Sequence, residues 1–132
     1  MPEFELAADV RHLIASHLPS IDHVDVLLLL RGIAPKGLTR DEIIQKTGIA
    51  TALVDRALAD LRTSGLVEPV MTGEKVEALV YRPQSQAQSK AVDNLATTYN
   101  ERPVTLIRAV YDRGAHPAIS FAEAFRIRGG NR

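Results

Sequence analysis

The sequence has no cysteine and no tryptophan, and aromatic residues make up only 5% of its 132 residues. The lack of cysteine excludes disulfides, zinc sites with thiolate ligands and a cysteine nucleophile. Because aromatic residues are scarce, a packed core must consist mainly of leucine, valine, isoleucine and alanine. The hydrophobic fraction of 45% is high enough to form such a core.

Long apolar runs are also missing. The most apolar stretch, residues 24–30, is far shorter than the roughly 20 residues that a membrane-spanning helix needs. The first residues are acidic, whereas a secretory signal would begin with basic residues. We therefore expect a cytoplasmic protein.

Patterns that would indicate catalysis or a metal site are absent from the sequence. None of the four histidines is four residues from another, as in a helical zinc site. The sequence has no phosphate-binding glycine-rich loop and no Gly-x-Ser-x-Gly motif. We therefore expect no enzymatic activity, no metal and no cofactor.

Neither sign of charge is in excess, because 16 basic side chains balance 16 acidic ones. This balance disfavours a nucleic-acid binder, since attraction to phosphates supplies much of non-specific affinity. The charges are unevenly placed, however. Residues 1–30 contain five acids and one arginine, whereas residues 101–132 contain six arginines and three acids. The acidic front and the basic tail could pair with each other or face different partners.

Hydrophobic periodicity predicts a mostly helical chain with one β-hairpin, an α+β class. The predicted helices cover residues 3–17, 20–32, 39–47, 51–64, 103–113 and 120–128. One more predicted helix begins within residues 84–89 and ends near residue 100. The predicted strands cover residues 66–71 and 76–82.

Several helix ends have clear sequence signals. Thr39 and Glu42 have the spacing of a capping box, in which each side chain bonds the backbone amide of the other. Ser20 and Thr51 are predicted N-caps of the second and fourth helices. Gly65 is the predicted stop of the fourth helix.

Residues 37–70 contain three motifs in succession: a Gly-Leu-Thr-x-x-Glu-Ile entry, a Thr-Gly-Ile turn and a Leu-x-x-Leu-x-x-x-Gly-Leu-Val exit into the hairpin. This stretch resembles the winged helix-turn-helix domains of bacterial transcriptional regulators, including the multiple-antibiotic-resistance and arsenic-resistance repressor types. The resemblance covers about half of the chain. It implies a winged domain at residues 20–83, with an N-terminal flanking helix at 1–19 and a C-terminal helical extension at 84–132.

The helix at 51–64 is the recognition helix that the resemblance implies. On a helical wheel one arc of this helix is apolar and is predicted to be buried; it contains Leu53, Val54, Ala57, Leu58 and Leu61. In a DNA-binding domain of this type the opposite arc enters the major groove, where Arg56 could contact guanine and Arg62 a phosphate. The predicted DNA-binding residues are Thr39, Arg40, Thr51, Ala52, Asp55, Arg56, Arg62, Thr63 and Lys75.

Two features of the sequence disfavour DNA binding. Asp55 lies on the groove-facing arc, where a carboxylate repels phosphate, and Glu74 cancels the charge of Lys75 at the hairpin tip. The alternatives are a solvated face that binds nothing, or a winged helix that docks a protein partner. We expect a homodimeric, DNA-binding transcriptional regulator, with a protein-interaction module as the alternative.

The C-terminal third has an apolar seam that continues across Pro103. Related regulators dimerise through helices that flank the winged domain, so this seam is a predicted dimer interface. Its predicted interface residues are Val92, Leu95, Tyr99, Leu106, Val110, Phe121 and Phe125. The alternative is that the seam packs on the first helix of the same chain. Phe121 and Phe125 could also dock a partner or complete the core, and the arginines beside them could touch DNA.

Overall fold

The fold is given by a computed structural model that describes residues 6–115, with side chains as far as residue 112. Over this range the protein is mostly helical with one two-stranded antiparallel sheet, which confirms the predicted α+β class. The elements are α1 (Ala8–His17), α2 (Ile21–Ile33), α3 (Arg40–Thr47), α4 (Thr51–Thr63), β1 (Val67–Thr72), β2 (Lys75–Tyr81), α5 (Gln86–Glu101) and α6 (Pro103–Ala115). The predicted helix at 120–128, with Phe121 and Phe125, lies outside the described residues.

The predicted helix ends are confirmed in most places. Thr39 Oγ1 accepts the Glu42 amide at 3.1 Å, and Glu42 Oε1 accepts the Thr39 amide at 2.8 Å, which completes the capping box. Ser20 caps α2, and Gly65, with φ of 81°, follows the last residues of α4. A left-handed φ of this kind favours glycine because other side chains clash there.

Two predicted helix starts are wrong. Thr51 is the first residue of α4 and not its cap, because the carbonyl of Ala50 already accepts the amides of Leu53 and Val54. Helix α1 begins at Ala8, later than the predicted residue 3. Leu6 fits the apolar pattern of α1 because its side chain is buried although its backbone is not helical.

The hairpin joins β1 to β2 in antiparallel register, from Val67 opposite Tyr81 to Thr72 opposite Lys75. A third segment, missed in the sequence, adds to the free edge of β2. Leu38 forms two backbone hydrogen bonds with Leu79, of 3.0 and 2.8 Å. The neighbouring Gly37 passes so close that an added Cβ would lie 2.8 Å from the Leu79 carbonyl oxygen. This contact fixes the start of α3 against the sheet.

Helix α2 lies at the centre of the fold, as its apolar sequence predicts. Val24, Val26, Leu27 and Leu30 are fully buried, and α2 packs against α3, α4, α6 and β2. Among the described helices none is by itself long and apolar enough to cross a membrane. Helices α1 and α2 reach that length and hydropathy only when taken together, across a bend of 112°.

The apolar seam of the C-terminal helices is part of the same core. Val92, Leu95, Leu106 and Val110 are buried within the single chain, because α1 packs against both α5 and α6. Their assignment to a dimer interface is therefore corrected, and the seam packs on the first helix as the alternative had it. Tyr99 is half-buried, and its hydroxyl donates to Asp25 Oδ1 at 3.1 Å.

Asp25 gives the first testable prediction. Burial raises the pKa of this carboxyl, the hydrogen bond from Tyr99 partly offsets that effect, and the charge of Asp22 raises the pKa further. A raised pKa in the folded state means that ionisation of Asp25 opposes folding. This cost is absent below the unfolded-state pKa of about 3.9 and fully present above the folded-state value.

We expect Asp25→Asn to raise the melting temperature by a few degrees or less at pH 7 and to leave it unchanged at pH 3. The asparagine keeps an acceptor oxygen for Tyr99 and removes only the desolvated charge. Thermal melts of both proteins across this pH range test the prediction. A variant that is less stable than the wild type at pH 7 would show that the ionised carboxylate contributes favourably.

Candidate nucleic-acid interface

The inner face of α4 attaches this helix to the core. Val54, Ala57 and Leu61 are fully buried and Leu58 nearly so, mainly against α2. Leu53, predicted to share this arc, is 45% exposed. At about 100° per residue it lies about 90° from the centre of the buried arc, on the flank next to the N-terminus of α2. The orientation predicted for α4 is thus confirmed, with Leu53 as the correction.

The outer face of α4 is exposed and contains the predicted contact residues. Those exposed on α4 are Thr51, Ala52, Asp55, Arg56, Arg62 and Thr63. Thr39 and Arg40 are exposed at the start of α3, and Lys75 is exposed at the hairpin tip. The structure therefore brings the predicted residues of α3 and α4 onto neighbouring surfaces. The Thr63 hydroxyl donates to the carbonyl of Ala59 at 3.0 Å, on its own helix.

Asp55 is paired with Arg40, a contact that links α4 to α3. Arg40 donates from Nε to Asp55 Oδ1 at 2.6 Å and from Nη2 to Oδ2 at 2.9 Å. The hydrogen bond from this guanidinium lowers the pKa of the Asp55 carboxyl, and the carboxylate in turn raises the pKa of Arg40. Asp55 is therefore ionised and its charge is balanced by a partner in the protein.

Asp60, the other acid on α4, is paired with α2. Its Oδ2 lies 2.8 Å from Nε2 of the buried His23, whose Nδ1 lies 2.6 Å from the Ser20 hydroxyl. An ionised carboxylate only accepts, so Nε2 donates to Asp60 and, in the neutral ring, Nδ1 accepts from Ser20. Ser20 Oγ also accepts the His23 amide at 3.3 Å as the cap of α2. The three side chains connect the start of α2 to the second half of α4.

The two arginines of α4 remain open to solvent. Arg56 and Arg62 are exposed, and neither makes an ion pair or a side-chain hydrogen bond with the described part of the chain. Asp55 is thus neutralised by Arg40 of α3 and Asp60 is hydrogen-bonded by His23 of α2, whereas the arginines of α4 have no such partner among the described residues. The outer face of α4 is consequently more basic than its residue composition suggests.

The hairpin is less basic than α4. Arg82 is paired with Glu68 at 3.0 Å, and the tip exposes Lys75 beside two acids, Glu74 and Glu77. Three apolar side chains, Val70, Met71 and Val76, are also 40–48% exposed near the tip.

The decisive pairs could not be found from sequence spacing. Arg40 and Asp55 are 15 positions apart and His23 and Asp60 are 37 apart, each pair on two different helices. Comparison of the chain with protein-family models, curated proteins and solved structures found no match. Functional inference therefore depends on the geometry and charge of the α4 surface.

Proposed function

We propose that the protein is a transcriptional regulator that binds duplex DNA through α4, and that α2 to β2 form a winged helix-turn-helix domain. The order of elements supports this proposal: α2, the Leu38 bridge, a capped α3, a tight turn at Gly48, α4 and then a β-hairpin. In domains with this order the second helix of the pair enters the major groove. Helices α1, α5 and α6 would support the domain from behind.

The main observation in favour is the charge distribution of α4. A carboxylate on a groove-facing helix opposes binding less when a cation of the protein balances its charge, as Arg40 does for Asp55. Asp60 is held by a hydrogen bond from His23 of α2. Arg56, near the middle of the outer face, is placed for a base edge. Arg62, about 1.7 turns further and on one flank of this face, is placed for a phosphate. Ala52 and Ala59 would let the helix backbone approach the groove closely.

A salt series tests DNA binding. We expect affinity for a random-sequence duplex to fall steeply between 50 and 200 mM salt, as counterion release requires, in a fluorescence anisotropy or gel-shift titration. Arg56→Ala should weaken binding by about 5- to 150-fold, the range for loss of one base contact. Lys90→Ala, which removes the same charge from an exposed site on α5, is the matched control.

Exposed apolar side chains favour a second function, docking of a protein partner. Leu53 and the hairpin residues Val70, Met71 and Val76 offer apolar area that DNA contact does not require. If the wild type shows no duplex affinity even at low salt, DNA binding is contradicted and the protein-interaction module becomes the better proposal.

We also propose that the protein is a homodimer and that the outer face of α6 forms the interface. Val104, Ile107 and Tyr111 recur at helical spacing on this face and are 65%, 38% and 77% exposed. Arg108 and Asp112 lie one turn apart on one flank of this stripe and form no ion pair with the described residues. In an antiparallel pair of helices related by a two-fold axis, the same flank of each helix faces itself. Arg108 of one copy would then face Asp112 of the other, twice.

Sedimentation measurements test the dimer. We expect the wild type to sediment as a dimer and Tyr111→Glu to sediment as a monomer, because the new carboxylate would be buried without a partner. Thr97→Glu, on an exposed position of α5, should remain dimeric. A wild type that stays monomeric at every concentration would contradict this interface.

A further inference from the structure

The paired Arg40 has one edge of its guanidinium held by two short hydrogen bonds and one edge that only the loose ion pair with Asp41 approaches. An arginine offers five N–H donors in one plane. Asp55 uses the side edge, formed by Nε and one hydrogen of Nη2, at 2.6 and 2.9 Å. The end edge, formed by Nη1 and the other hydrogen of Nη2, is left over. Nη1 lies 3.5 Å from Asp41 Oδ1, which is too long for a firm hydrogen bond.

From this geometry we infer that Asp55 is a positioning residue. It holds Arg40 so that the end edge of the guanidinium donates hydrogen bonds to two adjacent acceptor atoms of duplex DNA. Those acceptors are two oxygens of one backbone phosphate or O6 and N7 of one guanine, since the guanidinium fork matches both. The inference depends on the proposed DNA-binding function. It gives Asp55 a role opposite to the repulsion expected from its charge alone.

The position of the pair supports this role. Arg40 is the first residue of α3, and its side chain lies against the α4 flank that also contains Thr51 and Arg62. Both members of the pair are about half exposed, so the open edge can be reached from solvent. A free arginine side chain loses much rotamer freedom when it binds, and a side chain already held by two hydrogen bonds loses less.

Two physical accounts of Asp55 predict effects of opposite sign. If its carboxylate only repels phosphate, Asp55→Asn should tighten DNA binding. If it positions Arg40, Asp55→Asn should weaken binding even though it removes a negative charge. The asparagine has nearly the same shape and the site is exposed, so the fold should persist.

The experiment is a double-mutant cycle in duplex binding, with wild type, Asp55→Asn, Arg40→Ala and the double variant. We expect Asp55→Asn to weaken binding by about 5- to 30-fold, in the range of coupling between groups in direct contact. In the Arg40→Ala background the same change should have no weakening effect. Glu77→Gln, which removes an exposed acid from the hairpin, is the charge control and should leave affinity equal or slightly higher.

Each other outcome is decisive. If the wild type binds duplex and Asp55→Asn tightens binding, leaves it unchanged, or weakens it equally without Arg40, the positioning role is overturned and DNA binding stands. If the wild type binds no duplex, the proposed function fails and this inference fails with it. A duplex built with 7-deazaguanine, which lacks N7, separates the acceptors. Unchanged wild-type affinity indicates a phosphate, and reduced affinity that Arg40→Ala no longer shows indicates guanine.

Discussion

Leu61→Ala is expected to destabilise the protein by about 2–5 kcal/mol, the usual cost of emptying a leucine site in a close-packed core. Leu61 is fully buried on the inner face of α4. Leu53→Ala is the matched control, because Leu53 lies on the same helix and is 45% exposed. Both changes raise helix propensity equally, so any difference between the variants reports burial.

Urea unfolding followed by circular dichroism gives the free energy of unfolding of each variant. We expect the loss for Leu53→Ala to be below about 1 kcal/mol, since much of that side chain is already in water. Equal losses, or a larger loss at Leu53, would mean that α4 is turned differently about its axis. The outward direction of Arg56 and Arg62 would then be contradicted together with the proposed DNA contact.

Local signals in the sequence were sufficient to place most elements. The Thr39–Glu42 capping box and Gly65 act through backbone groups within a few residues, so their spacing alone identified them. The apolar arc of α4 likewise followed from helical periodicity. Its one error, Leu53, lies at the edge of the arc, where periodicity cannot decide between a buried flank and an exposed one.

Contacts between distant segments could not be predicted in the same way. The Leu38–Leu79 bridge consists of backbone hydrogen bonds that leave no residue pattern. The seam of α5 and α6 was apolar enough for either a dimer interface or an internal core. Only the position of α1 decides between these, because α1 covers the seam. An apolar stripe on a helix predicts that the stripe is buried, but it does not identify the surface that buries it.

The charge of the α4 surface was the property most difficult to predict from the sequence. The net charge of zero and the presence of Asp55 on α4 both disfavoured a nucleic-acid binder. A count of charges treats every ion as free, whereas Asp55 and Asp60 each have a partner on another helix. The charge that α4 presents to a ligand therefore depends on Arg56 and Arg62, which have no such partner among the described residues.

Charge reversal of both arginines of α4 should greatly weaken duplex binding. Arg56→Glu combined with Arg62→Glu removes a base contact worth about 1–3 kcal/mol and a phosphate contact, and it places two carboxylates where phosphates repel them. We therefore expect at least about a 100-fold loss of affinity, since each 1.4 kcal/mol is tenfold. The slope of log affinity against log salt should also become shallower by about one, because Arg62 is the phosphate-neutralising charge of the pair.

A matched control separates a local effect from one of net charge. Lys46→Glu combined with Lys90→Glu changes the net charge by the same amount at exposed positions of α3 and α5. We expect this variant to lose affinity several-fold at most and to keep most of the salt slope, because neither lysine is among the proposed DNA contacts and salt weakens attraction between separated exposed charges. If both double variants lose affinity equally, binding follows overall charge and α4 has no special part in it. If only the α4 variant loses it, the arginines of α4 carry the binding, and the pairing of Asp55 with Arg40 explains why the carboxylate among them does not prevent it.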